Sequence, residues 1–540
     1  MADQVPYYGW SVPGGLVERP GEYPGEAELW CYADKFSYMP GESVSIKVHT
    51  NATTYDLEIV RDGAEPTVVF TQTGLTGQQH QTPVDAYAVG CDWPEALSVT
   101  VDPTWSSGFY LIILRCNYRG RVIEREGFFV VRAASPAGAD MVLIHTTSTM
   151  LAYNDWGGAN HYRGLPDDLG NDVPSPVSST QRPVARGMLR KPIGAPRNVH
   201  TDTPGPGWIP RHPPYEWAWH NGYSRHHADA FWATYERPFV VWAANQGFAV
   251  HHITQHDLHY DVDALAGYSC AVIVGHDEYW TWEMRDRIDS FVDAGGGLAR
   301  FGGNFFWQVR LDAATNSQTC YKIPDLDPLY GVDNTRVTTA WDWNPIQRPA
   351  AATMGLTGMG GIYARYGATT PRSSGGFTVY RPDHWALEGS DLYYGDVFGS
   401  APIVIAGFEL DGVDYTFRHG LPYATGADGA DTDLQIIAMV PAVIGSRDNW
   451  NGTVPIGSPL AEADALFGAM YGDEEVPAHV ASEYGSGMVA EYSRGDGTVF
   501  NAGSCEWVQG LVNHDFFTEK ITRNVLTRLS GRAAKGNRAS

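Results

Sequence analysis

The residues best suited to chemistry in this chain sit in short polar turns that follow apolar runs. Gly275-His276-Asp277-Glu278-Tyr279-Trp280 follows the run Cys270–Val274. A carboxylate beside an imidazole suits general acid–base work, or a metal ligand with a partner behind it. Alternate residues of such a turn project to one side, which pairs His276 with Glu278. The competing reading is a polar helix start, with Asp277 and Glu278 against the helix dipole. Asn304 ends the next apolar run, after Gly302-Gly303. Glycines there let backbone approach a ligand closely, and the Asn amide can hold a carbonyl oxygen or orient a water. Its alternative is a cap for the next element. Tyr153 opens Tyr153-Asn154-Asp155-Trp156-Gly157-Gly158 after another apolar strand. Its phenol is a ligand for ferric ion when ionised, and otherwise a packed aromatic.

Other constellations are poorer. His200, His212, His220, His226, His227, His251, His252, His256 and His259 crowd the middle of the chain without a recognised zinc spacing. A G-x-S-x-G elbow, a P-loop and a dinucleotide fingerprint are all missing. Cys270 lies inside its strand rather than at the exposed end, which disfavours it as a nucleophile.

The elements that must position these residues follow from periodicity. From Glu28 to about 132, Ser43–Val48 alternates with period two, and further strands are expected at 55–60, 67–71, 97–101, 109–116 and 122–132, separated by turn residues. This pattern predicts a β-sandwich over 25–134, after an extended arm at 1–24. Ser135–Gly138 is the linker. Apolar strands at 140–145, 248–253, 270–274 and 298–301 alternate with helices at 235–247 and 284–292. Met284, Ile288, Phe291 and Val292 fall on one face of the latter. Strand–helix–strand alternation predicts a mostly parallel, doubly wound sheet in an α/β domain over 139–530. In such sheets ligands bind beyond the carboxyl ends of the strands, where the three polar turns fall. Residues 163–230 read as a long irregular segment and 310–400 as a β-rich insertion. Strands are also expected at 402–406, 415–417 and 497–502, a helix or strand at 432–444, and a closing helix at 520–529. A flexible tail is expected at 531–540.

A length of 540 residues predicts more than one domain. A net charge of −25 disfavours nucleic-acid or anionic-membrane partners, both of which need a basic face. Six cysteines without a C-x-x-C pair predict reduced, buried thiols in a cytoplasmic protein. The N-terminus lacks a signal-peptide pattern, and no apolar run approaches the ~18 residues of a membrane span.

Tyr153–Gly158, Tyr235-Glu-Arg-Pro-Phe239, Gly275–Trp280, Phe301-Gly-Gly-Asn304 and Gly497–Ser504 together resemble the large-subunit family of N,N-dimethylformamidase, its C-terminal part in particular. The resemblance spans roughly residues 25–530. It implies an immunoglobulin-like domain followed by a glutamine-amidotransferase-like, flavodoxin-like α/β domain. It implies an amide hydrolase with a mononuclear ferric iron on two tyrosinates and a glutamate, acting on a small N-alkylated amide. Carried over by position, Glu278 and Tyr153 are ligands, His276 is the acid–base or outer-sphere residue, and Asn304 orients substrate or water. The second tyrosine is expected within 160–235, as Tyr162, Tyr215 or Tyr223. A small helical partner subunit and a homo-oligomer are further implications. The rival readings are a zinc or metal-free hydrolase of another C–N or ester bond, and a non-catalytic binding protein.

Overall fold

The computed structural model describes residues 17–164, 173–198, 213–361, 376–443, 468, 470–472, 476–477 and 484–532. Most of the predicted arm, His200, His212 and the end of the tail lie outside the described residues.

Two sheets build the N-terminal part. One holds Leu29–Ala33, Ser43–Thr50 and Glu95–Thr100. The other holds Ser37–Tyr38, Arg121–Val131, Gly108–Tyr118, Thr54–Asp62 and Thr67–Thr76. Strand Gly108–Tyr118 shows why two cores exist. Its alternate residues point to opposite faces. Tyr110, Ile112 and Leu114 fill the space between the two sheets. Phe109, Leu111 and Ile113 join the core of the following α/β part. Phe109 stacks on Trp232 with ring centroids 4.1 Å apart, and Asp62 accepts from Trp232 Nε1 at 2.9 Å and pairs with Arg237 at 2.8 Å.

The second part is organised by a nine-stranded sheet. Its order is Val250–Thr254, Met141–His145, Cys270–His276, Gly297–Gly303, Gly497–Asn501, Tyr484–Arg494, Gln435–Val443, Phe377–Val379 and Val397–Phe398. The first five strands are mutually parallel, as the strand–helix alternation predicts. The remaining ladders are antiparallel, so the expectation of a mostly parallel sheet holds for one half only. The 377–379 and 397–398 strands extend this sheet, so the end of the predicted 310–400 insertion belongs to it. Segment 402–406 is not a strand. Val404, Ile405 and Ala406 are buried, but Ile405 N–H turns back to Gly399 O at 3.0 Å. An apolar run reports burial, not ladder pairing. The 163–230 segment carries the short strand Val177–Ser179 and the helix Pro213–Asn221 among its described residues.

Helix Trp282–Asp293 begins with Thr281 as its cap, Oγ1 accepting from Met284 N–H. It buries Met284, Ile288 and Val292 as the spacing predicts and leaves Phe291 half-buried against the core. Glu278 therefore lies outside the helix, which removes the helix-start reading of Asp277 and Glu278. Ahead of helix Arg237–Asn245 runs the π-turn Trp232–Glu236, after Phe231 at φ 73°. The turn lays Tyr235 on Gly275. A Cβ at Gly275 would lie 2.2 Å from Tyr235 Cβ, and its φ of +81° favours glycine. Among the described residues no helix is long and apolar enough to cross a membrane, and all six cysteines are free and buried.

Candidate active site

Strands Cys270–His276 and Gly297–Gly303 run parallel in register, pairing His276 with Gly303, so the residues that follow each emerge side by side. Helix Thr147–Tyr153, after strand Met141–His145, ends on Tyr153 at the same end of the sheet.

Glu278 is the centre. It is fully buried, yet every approach to its carboxylate is polar. Tyr153 Oη donates to Oε2 at 2.9 Å. Tyr162 Oη and Trp307 Nε1 each donate to Oε1 at 2.6 Å. His276 Nε2 stands 3.4 Å from Oε2. Burial alone would raise the Glu278 pKa, but His276, Lys322 and the Tyr162 hydroxyl hold it below the usual carboxylate range. The two phenol rings stack at 4.7 Å, and the Lys322 ammonium lies 3.1 Å from the Tyr162 ring centroid.

Of the three candidates for the second tyrosine, the structure puts Tyr162 on Glu278. Tyr215 instead donates to Asp229 Oδ2 at 3.2 Å, beside His226. Tyr223 packs on Trp217 and under the Arg186 guanidinium.

His276 is oriented from behind. Its Nδ1 is 2.7 Å from Asp229 O; a carbonyl only accepts, so Nδ1 carries the proton and Nε2 faces the site. There Glu409 Oε2 lies at 2.7 Å. Burial opposes charge on the ring, but Glu409 and Glu278 outweigh it and raise the His276 pKa well above its ordinary value. Glu409 is also pushed upward, chiefly by burial. Asn304 Nδ2 donates to Glu409 Oε2 at 2.8 Å and lies 3.1 Å from His276 Nε2. Asn304 adopts φ 62°, a left-handed geometry Asn tolerates, and its N–H donates to Asp411 Oδ1 at 2.6 Å. The Gly302-Gly303 pair does admit close backbone, but not a ligand's neighbourhood. Cβ atoms there would lie 2.5 Å from Gly275 O and 2.5 Å from Glu409 O.

Glu409, Trp307, Lys322 and Asp229 escaped the sequence reading. None sits in a periodic element ending at the crevice, and Glu409 is 131 positions from Glu278. Trp307 alone carried a signal, its place three residues beyond Asn304. Histidines 226 to 259 do not converge. Among the described residues, only His276, Glu409 and Cys505 bring three His, Cys, Asp or Glu ligand atoms within 4.8 Å of one another.

The donor set fits a hard cation. Three oxygen-bearing side chains, Tyr153, Tyr162 and Glu278, meet with two phenolic protons lying between them. Burial, Glu278 and Glu409 raise the Tyr153 pKa well above normal, so its phenolate needs a nearby cation to be favoured. Phenolate and carboxylate oxygens suit such an ion.

The fold and site thus define a mixed-sheet α/β protein with a buried Tyr–Tyr–Glu centre and an imidazole set against it. The chain matches, over residues 56–518, the family described as N,N-dimethylformamidase beta subunit-like, C-terminal, and belongs to that family. No curated protein matches it. The family suggests an amide hydrolase.

Proposed function

We propose that this protein hydrolyses a small N-alkylated amide of the formamide type, with one ferric iron held by Tyr153, Tyr162 and Glu278. The observation that carries the proposal is the delivery of two phenol hydroxyls to the two oxygens of one buried glutamate. When bound, the iron supplies Lewis acidity toward the amide carbonyl and an activated water. The remaining steps belong to the chain. Glu409 and the Asp229 carbonyl hold the His276 ring, with Nε2 directed into the site. From there His276, charged at rest, gives its Nε2 proton to the departing nitrogen and is recharged by a proton from the attacking water. Asn304 keeps Glu409 and His276 in place and presents its amide toward the carbonyl oxygen. Phe408, whose ring meets His276 edge-on at 5.5 Å, supplies an apolar wall that limits water and favours alkyl substituents. We read the sandwich as the immunoglobulin-like module and the mixed-sheet part as the amidotransferase-like module of such an enzyme.

The test is metal analysis of purified protein together with its visible spectrum and a screen of formamides, acetamides and cyclic amides. One iron per chain, a phenolate-to-iron band and turnover of a small amide are expected. Turnover by colourless, iron-free protein would overturn the reading.

A further inference from the structure

A second donor set shares His276 with the first. His276 Nε2 faces Glu409 Oε2 at 2.7 Å, and the Cys505 thiol completes a trio whose ligand atoms lie within 4.8 Å of one another. All three residues are buried. We propose that His276, Glu409 and Cys505 form a site for a thiophilic divalent cation of the zinc and cadmium class, whose occupation takes His276 out of proton transfer.

Three features of the geometry support it. First, a metal-ligating histidine ordinarily donates its other ring N–H to a carbonyl or carboxylate, which fixes the tautomer. His276 Nδ1 does this toward Asp229 O at 2.7 Å, leaving Nε2 as the ligating atom. Second, the carboxylate is supported in the same way, Asn304 Nδ2 donating to Glu409 Oε2 at 2.8 Å. Third, room for the thiol is built in at Gly303. A Cβ there would lie 3.2 Å from Cys505 Sγ and 2.8 Å from Cys505 N, and Cys505 N–H is fixed on Glu409 O at 3.1 Å. Tetrahedral zinc with its usual bond lengths separates adjacent ligand atoms by roughly 3.4–3.6 Å. A rearrangement of about 1 Å in side-chain position closes the trio around one ion.

The site differs in kind from the Tyr153–Tyr162–Glu278 centre. Nitrogen and sulfur donors favour zinc-class ions, while phenolate and carboxylate oxygens favour a hard ion. The exchange balances. One dication enters, the thiol proton and the His276 Nε2 proton leave, and the net charge of the trio is unchanged. With Nε2 bound, the ring no longer carries a proton between water and the leaving nitrogen. This consequence rests on the proposed role of His276; the binding site itself does not.

Cadmium chloride titration of the purified holoenzyme tests both parts. The readouts are the ultraviolet thiolate-to-cadmium band, equilibrium dialysis, and amide turnover with added zinc chloride. The wild type is expected to take up one equivalent with the band and to lose turnover. Removing an outer-shell partner costs roughly 10–100-fold in metal affinity, so Cys505→Ser, which removes a ligand, is expected to bind about 100-fold more weakly or worse. It should lack the band and turn over normally in zinc. Cys505→Ala serves as a second variant, with circular dichroism establishing that each is folded. An equal band and stoichiometry in the wild type and both variants would overturn the site. Cadmium binding at Cys505 without loss of turnover would overturn the blocking role. Absence of amide turnover in every sample would overturn the functional reading, and the band would still decide the site.

Discussion

Asp277 and Glu278 are neighbours in sequence, equally buried, and held in opposite ways. Asp277 is tied to a fixed cation. Arg300 Nε and Nη2 reach its two oxygens at 2.9 and 2.5 Å, while Nη1 reaches Asp411 Oδ2 at 2.5 Å. Asp411 in turn receives the Asn304 N–H. This cluster is permanent and ties the two strand ends to the 411 segment. Glu278 is paired instead with the His276 imidazole at 3.4 Å. Its oxygens are satisfied by two phenols, an indole and a neighbouring imidazole. Neutral hydroxyl protons can be exchanged for a metal ion, whereas a guanidinium cannot. The contrast separates a carboxylate that builds the site from one that works in it.

The largest expected effect is on the building side. Arg300→Met leaves two buried carboxylates without their cation and should cost about 3–5 kcal/mol, read as a shift of the denaturation midpoint. A loss under about 1 kcal/mol would remove the structural role. Glu278→Gln is expected to keep stability within about 1–2 kcal/mol, the range for disturbed hydrogen bonds. Activity and bound iron should fall by more than the roughly 100-fold that an outer-shell loss can reach. If Glu278→Gln unfolds the protein as Arg300→Met does, the contrast fails. Tyr162→Phe should cost about 1 kcal/mol of stability and shift or abolish the visible band, while Tyr223→Phe leaves the band unchanged. An identical spectrum in Tyr162→Phe would send the search back to other ligands.

The smallest effect is in the pH profile, where the two carboxylates should differ in sign. Glu278 sits below its ordinary value of 4.5, chiefly because His276 overcomes burial. Its stabilising contribution is present above about 4.5 and lost as pH falls through its folded value. Asp277 is raised above 3.8, burial being the leading cause, with Asp411 adding to it against Arg300. The fold then binds its proton more tightly than the unfolded chain, so its contribution weakens as pH rises from about 3.8. Unfolding free energies against pH for Glu278→Gln and Asp277→Asn, each compared with the wild type, should therefore differ with opposite slopes. Slopes of the same sign would refute the assignment of direction.

The strand–helix–strand unit from Cys270 to Asn304 was legible because its signals are local. The apolar run, the face of Met284, Ile288 and Val292, and the glycines each act within a few residues. The apolar run from Phe109 to Leu114 announced a strand, but not which core each of its faces would join. The run at 402–406 misled for a related reason, since hydrophobicity marks what is buried and leaves the backbone's partners open. Of the site, His276, Glu278 and Asn304 could be found at strand ends, and Tyr153 in the polar stretch after the first strand, where a helix ends. Glu409 and Lys322 could not, because they come from irregular segments that carry no periodic signal, and Trp307 lies in a two-residue strand too short to show one.

The sequence by itself determined where strands end in polar turns, because side-chain periodicity and glycine conformations are short-range properties. It left Tyr162, Tyr215 and Tyr223 equivalent. Only the tertiary structure decided among them as the one that meets Glu278, sending Tyr215 to Asp229 and Tyr223 to Trp217. It also brought Glu409 and Cys505 to His276. Each of these contacts spans many residues of chain, and its geometry is set by how whole elements pack rather than by the residues beside it.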